Sequence, residues 1–316
     1  MFRRARGHFW TLAPTIGRTL VPGRVEPGQP WDTEVPRDPG DERRIRITGL
    51  WHAVDAATTA VVIVHGLGGC SESWYVRHAT REALARGIAV LRVNVRGADA
   101  LGEDIHHAGL TADLHAAISS KELAGFRRRT MLGFSMGGHM ALHLAADLHA
   151  VDRTTPCDAI AAICPPVDLL PVRHHLDRPV VYPYREYMLK KLREMVRVGI
   201  ARGRLTYQGD LRRLRTFEAW DGAIVAPRYG WPDADTYARQ ASVGPRLGTL
   251  GIPALLIAER RDPMIPASTL HGSLVNPSSN LEVRWVDGGG HCGFPPRMRV
   301  VSSAIAWLED PAATDG

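Results

Sequence analysis

Three polar residues far apart along the chain have the types, and the chain order, needed to hydrolyse an acyl bond. Ser135 stands in "LGFSMGGHM" (132–140), Asp262 in "AERRDPMIP" (258–266) and His291 in "GGGHCGF" (288–294). A serine hydroxyl is a poor nucleophile until a base takes its proton; the base is then held in one tautomer, and stabilised when charged, by a carboxylate. Gly133 and Gly137 complete GxSxG around the serine, a pattern that is weak alone. Negative charge developing on a substrate oxygen also needs aimed donors, each worth about 2.7 to 4 kcal/mol. The backbone N–H of Leu67, in "VVIVHGLGG" (61–69), and that of Met136, directly after the serine, are the expected pair. His65 and Gly66 would shape that turn, with His65 structural in role.

These loops must be brought together by a scaffold, and the hydropathy pattern supplies one. "AVVIV" (60–64), "IAVLRVNVRG" (88–97), "TMLGF" (130–134), "AIAAIC" (159–164), "PALLIAE" (253–259) and "LEVRWV" (281–286) read as strands, the first and third of them buried. Between them, "YVRHATREALARG" (75–87), "TADLHAAISSKEL" (111–123) and "MGGHMALHLAADLHA" (136–150) read as helices, and "MRVVSSAIAWLED" (298–310) closes the chain with an amphipathic one. Alternation of this kind predicts an α/β fold, a mostly parallel sheet with helices on both faces. Each polar residue then falls in a loop at the carboxyl edge of a strand. The strand before Ser135 and the helix after it are what a nucleophile elbow requires, and a glycine-rich turn with an incidental serine would need no partners at the other two edges.

Two motifs compete for parts of these roles. Asp168 in "CPPVDLL" follows the sixth strand and ranks below Asp262 as the acid. His139 and His143, four apart on a helix, have zinc spacing, but the glutamate of HExxH and a third ligand are missing, so no metal is expected. His106 and His107 fit a pocket rim or a solvated loop equally well, and Cys292 would serve as nucleophile only if Ser135 did not.

The alternation breaks between Pro165 and about Gly248, where "YREYMLKKLREMVRVGIARG" (184–203) gives a long basic helix followed by Pro- and Gly-rich segments carrying Trp220, Tyr229, Trp231 and Tyr237. Neither half has the makings of a separate core. We therefore expect one domain, with a core over about 40–165 and 249–316, a helical lid insertion over about 166–248 after the sixth strand, and an N-terminal extension over 1–40.

The 316 residues, 45% hydrophobic and 23% charged, suit one large globular unit, and no stretch approaches the roughly 20 apolar residues of a membrane span. Pro14, Gly17, Arg18 and Pro22 interrupt any secretory h-region. Cys70, Cys157, Cys164 and Cys292 form no CxxC pair, which points to a reduced, cytoplasmic setting. The net charge of +6 comes almost wholly from scattered arginines, since only Lys121, Lys190 and Lys191 are lysines. Runs such as "FRRRT" (126–130) lack the interleaved aromatics of a nucleic-acid platform, so no nucleic-acid partner is expected. Weak association with an anionic membrane surface is compatible with them.

"GHFWTLAPTIGR", "HGLGGCSESWYVR", "NVRG", "HHAGLTADL", "GFSMGGHMAL", "CPPVDL", "YARQAS", "IPALLIAERRDPMIP" and "GGGHCGF" together make most of the chain similar to the α/β-hydrolase superfamily, and within it to the YheT-like branch of predicted esterases related to plant embryogenesis-associated hydrolases. The resemblance implies a cofactor-free serine hydrolase acting on small-molecule carboxylic esters of short to medium acyl chains. Acyl transfer on the same site, and a binding protein that has kept the fold without turnover, are the alternatives. Arg261 departs from the pattern, since relatives often carry a second acidic residue there.

Overall fold

The computed structural model of the protein describes residues 6–13, 27–150 and 156–311. The stretch "PTIGRTLVPGRVE" (14–26), on which the reading against a leader rests, lies outside the described residues.

Eight strands form one sheet in the order β1-β2-β4-β3-β5-β6-β7-β8. The first two are β1 (Gln29–Pro36) and β2 (Arg44–His52), and both run antiparallel to their neighbours. From β4 (Ala89–Asn94) through β3 (Thr59–Val64), β5 (Arg128–Phe134), β6 (Ala159–Ile163), β7 (Ala254–Glu259) and β8 (Leu281–Val286), every pairing is parallel. This is the α/β architecture that the alternation predicts. Residues 29–36, read from sequence as part of an N-terminal extension, add the outermost strand.

The pleat divides the central strands between two cores. Val62 and Val64 face α3 (Ala112–Ile118) and α4 (Met136–Ala150), whereas Val61 and Ile63 face α2 (Trp74–Leu84) and α10 (Val300–Glu309). Strands β3, β4, β6 and β7 are largely or wholly buried, as expected of a parallel sheet covered on both sides. One further helix, α1, spans residues 6–13 and packs against the loops that follow β7 and β8: a Cβ placed on Gly7 would sit 2.2 Å from the carbonyl oxygen of Arg261, and one on Gly290 would sit 2.2 Å from that of Gly7.

Between β6 and β7 the chain makes α5 (Leu169–Leu176), the long α6 (Tyr182–Ala201), α7 (Phe217–Trp220), a π-helical turn at Asp221–Val225, α8 (Ala226–Tyr229) and α9 (Ala234–Gln240). Their apolar side chains, among them Met188, Leu192, Phe217 and Trp220, join the same buried cluster as the sheet. Polar anchors fix this segment to the sheet. Arg228 Nε donates to Asp104 Oδ1 at 2.8 Å in the loop after β4, next to the buried pair of Arg96 Nη2 and Asp113 Oδ1 at 2.7 Å. Among the described residues no helix is long and apolar enough to cross a membrane.

Candidate active site

Ser135 occupies the turn between β5 and α4 with φ at +50°, a left-handed conformation that costs a non-glycine residue about 1 to 3 kcal/mol. The surroundings hold it there. Its N–H donates to the Ile163 carbonyl at 2.9 Å, and its own carbonyl accepts from His139 N–H at 3.0 Å. A Cβ on Gly133 would lie 2.4 Å from the Gly137 carbonyl oxygen, and one on Gly137 would lie 2.5 Å from that of His65. Backbone rather than a flexible side chain blocks both positions, so the two glycines let α4 start directly against β3 and β5.

His291 meets the serine from the loop after β8. Its Nε2 is 2.9 Å from Ser135 Oγ, and its Nδ1 is 2.7 Å from Asp262 Oδ2, in the loop after β7. The carboxylate is fixed in turn, because Asp262 Oδ1 accepts from the N–H groups of Met264 and Ile265 at 2.8 and 3.0 Å. Burial disfavours a charged imidazole, but the adjacent Asp262 carboxylate and the Cys292 sulfur outweigh it and raise the pKa of His291 well above 6.5. The structure thus brings together the three residues singled out by type and order. Asp168 stays apart, capping α5 by accepting from Leu170 N–H.

Leu67 and Met136 line the same cavity as Ser135. Met136 is the first residue of α4, so its N–H has no acceptor within the helix. Gly66 N–H is engaged by the Tyr75 hydroxyl at 3.0 Å, which sets the path of the loop ahead of Leu67. His65 is buried, its Nδ1 2.8 Å from the Gly66 carbonyl oxygen, and burial pulls its pKa down to about 4. It touches neither the serine nor the carboxylate among its hydrogen-bond partners.

Other histidines have structural partners. His139 Nδ1 and Nε2 each lie 2.7 Å from a carbonyl oxygen, of Pro166 and Ala241, and His143 Nε2 is 2.9 Å from that of Ala241. The zinc-like spacing serves to bind α4 to the segment between β6 and β7. His106 and His107 both line the cavity, with His107 packed between Tyr229 and Trp231 at ring separations of 4.3 and 4.9 Å. One group of metal-ligand type does occur among the described residues: Cys164, His291 and Cys292 have ligand atoms within 4.8 Å of one another. It shares the histidine of the hydrogen-bonded chain.

Several supporting residues stand in stretches already noted in the sequence, but their roles are not legible there. Thr11 of α1 accepts a hydrogen bond from His291 N–H at 2.9 Å. Glu259, 1% exposed at the end of β7, accepts from the N–H groups of Gly288 and Gly289 at 3.2 and 2.8 Å, and burial raises its pKa. Arg261 pairs with Asp287 at 2.7 Å, directing its charge away from Asp262. Signals for Thr11 and Glu259 exist only in three dimensions, since one acts across 280 residues and the other across two loops.

Two spaces meet at Ser135. The inner, smaller one runs under α5, α6 and α7 and is walled largely by apolar side chains such as Leu169, Val172, Met188 and Phe217. The outer, wider one is a groove bordered by Gly66–Gly69, Tyr75, Tyr184, His291 and residues 11 and 12 of α1.

A serine in a strand-to-helix turn, hydrogen-bonded to a histidine that is bonded in turn to an aspartate, on a mostly parallel sheet, is the arrangement of the α/β-hydrolase class. The chain belongs to the alpha/beta hydrolase family, whose model matches residues 61–304. Among curated relatives, YheT of Escherichia coli (strain K12), whose name carries a provisional esterase designation, is 27% identical over 269 residues, 78% of this chain and 76% of YheT. Phospholipase ABHD3 of Homo sapiens is 24% identical over 251 residues, 76% of this chain; the match spans only 60% of ABHD3. Among solved structures, the esterase Pf2001 of Pyrococcus furiosus superposes with a TM-score of 0.55 at 16% identity over 91% of this chain and 96% of that one, a likeness of fold.

Proposed function

We propose that the protein is a serine hydrolase of carboxylic esters with short to medium acyl chains. The continuous hydrogen-bonded chain from Ser135 Oγ through His291 to Asp262, where a largely apolar cavity meets a wider groove, carries this reading. Ser135 Oγ attacks the ester carbonyl while its proton passes to His291 Nε2. Asp262 stabilises the imidazolium, and the N–H groups of Leu67 and Met136 receive the oxyanion. Collapse of the tetrahedral intermediate expels the alcohol, which takes the proton from His291 and leaves an acyl-serine. Water, deprotonated by the same imidazole, then releases the acid and restores the serine. No cofactor takes part.

The segment over about 166–248 acts as a lid, its apolar walls holding the acyl chain with about 0.8 kcal/mol for each methylene buried. The alcohol portion occupies the groove. The esterase designation of YheT and the phospholipase name of ABHD3 support ester chemistry. Hydrolysis of p-nitrophenyl butyrate by Ser135→Ala should be abolished; a mutant with the wild-type rate would end the assignment.

The size of the groove beside His291 also favours a second reading, in which an alcohol acceptor replaces water. Products measured with added alcohols separate the two, free acid marking the hydrolase. Exposed Phe9 and Leu12 on α1, and Val180, Tyr182 and Tyr187 at the start of α6, with Arg77 and Arg81 in the groove wall, support weak docking on an anionic membrane from a reduced, cytoplasmic setting. Sedimentation with liposomes should increase with anionic lipid, and independence from it would dismiss the docking.

A further inference from the structure

The inner cavity is apolar near Ser135 but carries a cluster of hydrogen-bonding side chains elsewhere in its wall. Arg173 of α5 is 4% exposed, and its guanidinium is tied on one side only, through Nη2 to Asp235 on α9. Its Nε and Nη1 are buried without a hydrogen-bond partner among the described residues. Asp221, the first residue of the π-helical turn, lines the same cavity. Tyr237 lines it too, and its hydroxyl oxygen accepts from Ala108 N–H at 3.1 Å, leaving the hydroxyl proton to be donated.

Buried donors left without acceptors are costly, so a wall made mostly of apolar side chains would not hold them without return. Single π-helical turns are also frequent at functional sites. The charge balance narrows what they would bind. Asp235 already neutralises Arg173. Burial outweighs the opposing charge of nearby Arg173 and favours the protonated form of Asp221, a neutral O–H donor, with the Asp177 carboxylate adding to that effect. A neutral set of donors suits an uncharged oxygen; a carboxylate would meet no free positive charge.

From this we infer that the enzyme selects acyl chains bearing a neutral oxygen, a hydroxyl or a carbonyl, along the chain, received by Arg173, Asp221 and Tyr237. This rests on the ester-hydrolase reading above and specifies its substrate class.

The test compares p-nitrophenyl esters in matched pairs from butanoyl to decanoyl, each plain chain against the same chain with a terminal hydroxyl or keto group. At the length that reaches the cluster, kcat/KM should favour the oxygenated ester by about tenfold or more, the scale of one well-made buried hydrogen bond. Asp221→Leu should bring the ratio to about one, while Asp221→Asn, which keeps a neutral donor, should preserve it. Wild-type rates that are equal or higher for plain chains at every length overturn the inference while leaving ester hydrolysis standing. Preference for the half-ester of a dicarboxylic acid overturns the neutral assignment. Calorimetric titration of Ser135→Ala with the same ester pairs reads the preference without turnover, so loss of hydrolysis cannot hide the answer. Equal affinities there would count against the inference.

Discussion

The loops at the carboxyl edge of the sheet and the helices that cover them are built on different principles. At the edge, each side chain of the hydrogen-bonded Ser135–His291–Asp262 chain is fixed by directional bonds. Ser135 is held through its N–H and carbonyl, Asp262 by two amides and His291 by Thr11 as well as Asp262. In the segment between β6 and β7, position is set mostly by packing of large apolar side chains, with a few anchors such as Arg228 on Asp104. Chemistry needs atoms within tenths of an ångström, and selectivity needs a cavity of the right shape. The first kind of region should fail abruptly when one bond is lost, and the second should change gradually.

The sharpest break is expected at the edge. Ser135→Ala should lower kcat by about 10⁶-fold, as in enzymes where the nucleophile and its base act as a unit, with the melting temperature little changed. Asp262→Asn should cost about 10⁴-fold by favouring the wrong imidazole tautomer. It also gives a pH test. The raised pKa of His291 means that the imidazole is protonated, and useless as a base, at and somewhat above pH 6.5. The acidic limb of kcat/KM should therefore lie above 6.5, and should move down in Asp262→Asn because the charge that raised it is gone.

Smaller effects sharpen the contrast. Gly133→Ala places a methyl 2.4 Å from the Gly137 carbonyl oxygen, and thermal denaturation should show a loss of about 2 kcal/mol or more. Thr11→Val removes the acceptor for His291 N–H, and kcat should fall about tenfold with KM nearly constant, since the imidazole is positioned less well. In the covering helices, Leu192→Ala should leave kcat on the shortest esters within about threefold while shifting the preferred acyl length upward, a chain-length panel being the readout.

This contrast also explains what could be read from the chain. The strands from β3 to β7 announce themselves as short apolar runs because both faces of the sheet are covered there. Ser135, Asp262 and His291 were legible because they follow such runs directly. β1 and β2 were not, since a half-exposed edge pair such as "QPWDTEVP" has a weak apolar pattern. The zinc-like spacing of His139 and His143 gave no sign of their actual partners, because the Ala241 carbonyl that both approach lies about a hundred residues away in the covering segment. Thr11 and Glu259 lie in stretches that carry the family resemblance, but their bracing roles do not show there, because what they brace is assembled only when distant loops meet.

The most direct measurement is mass spectrometry of the intact protein and its peptides after treatment with a fluorophosphonate. A single adduct on Ser135, formed quickly by the native protein and lost in His291→Ala, is the predicted result. Modification of another residue, or none, would contradict the assignment of Ser135 as a nucleophile activated by His291.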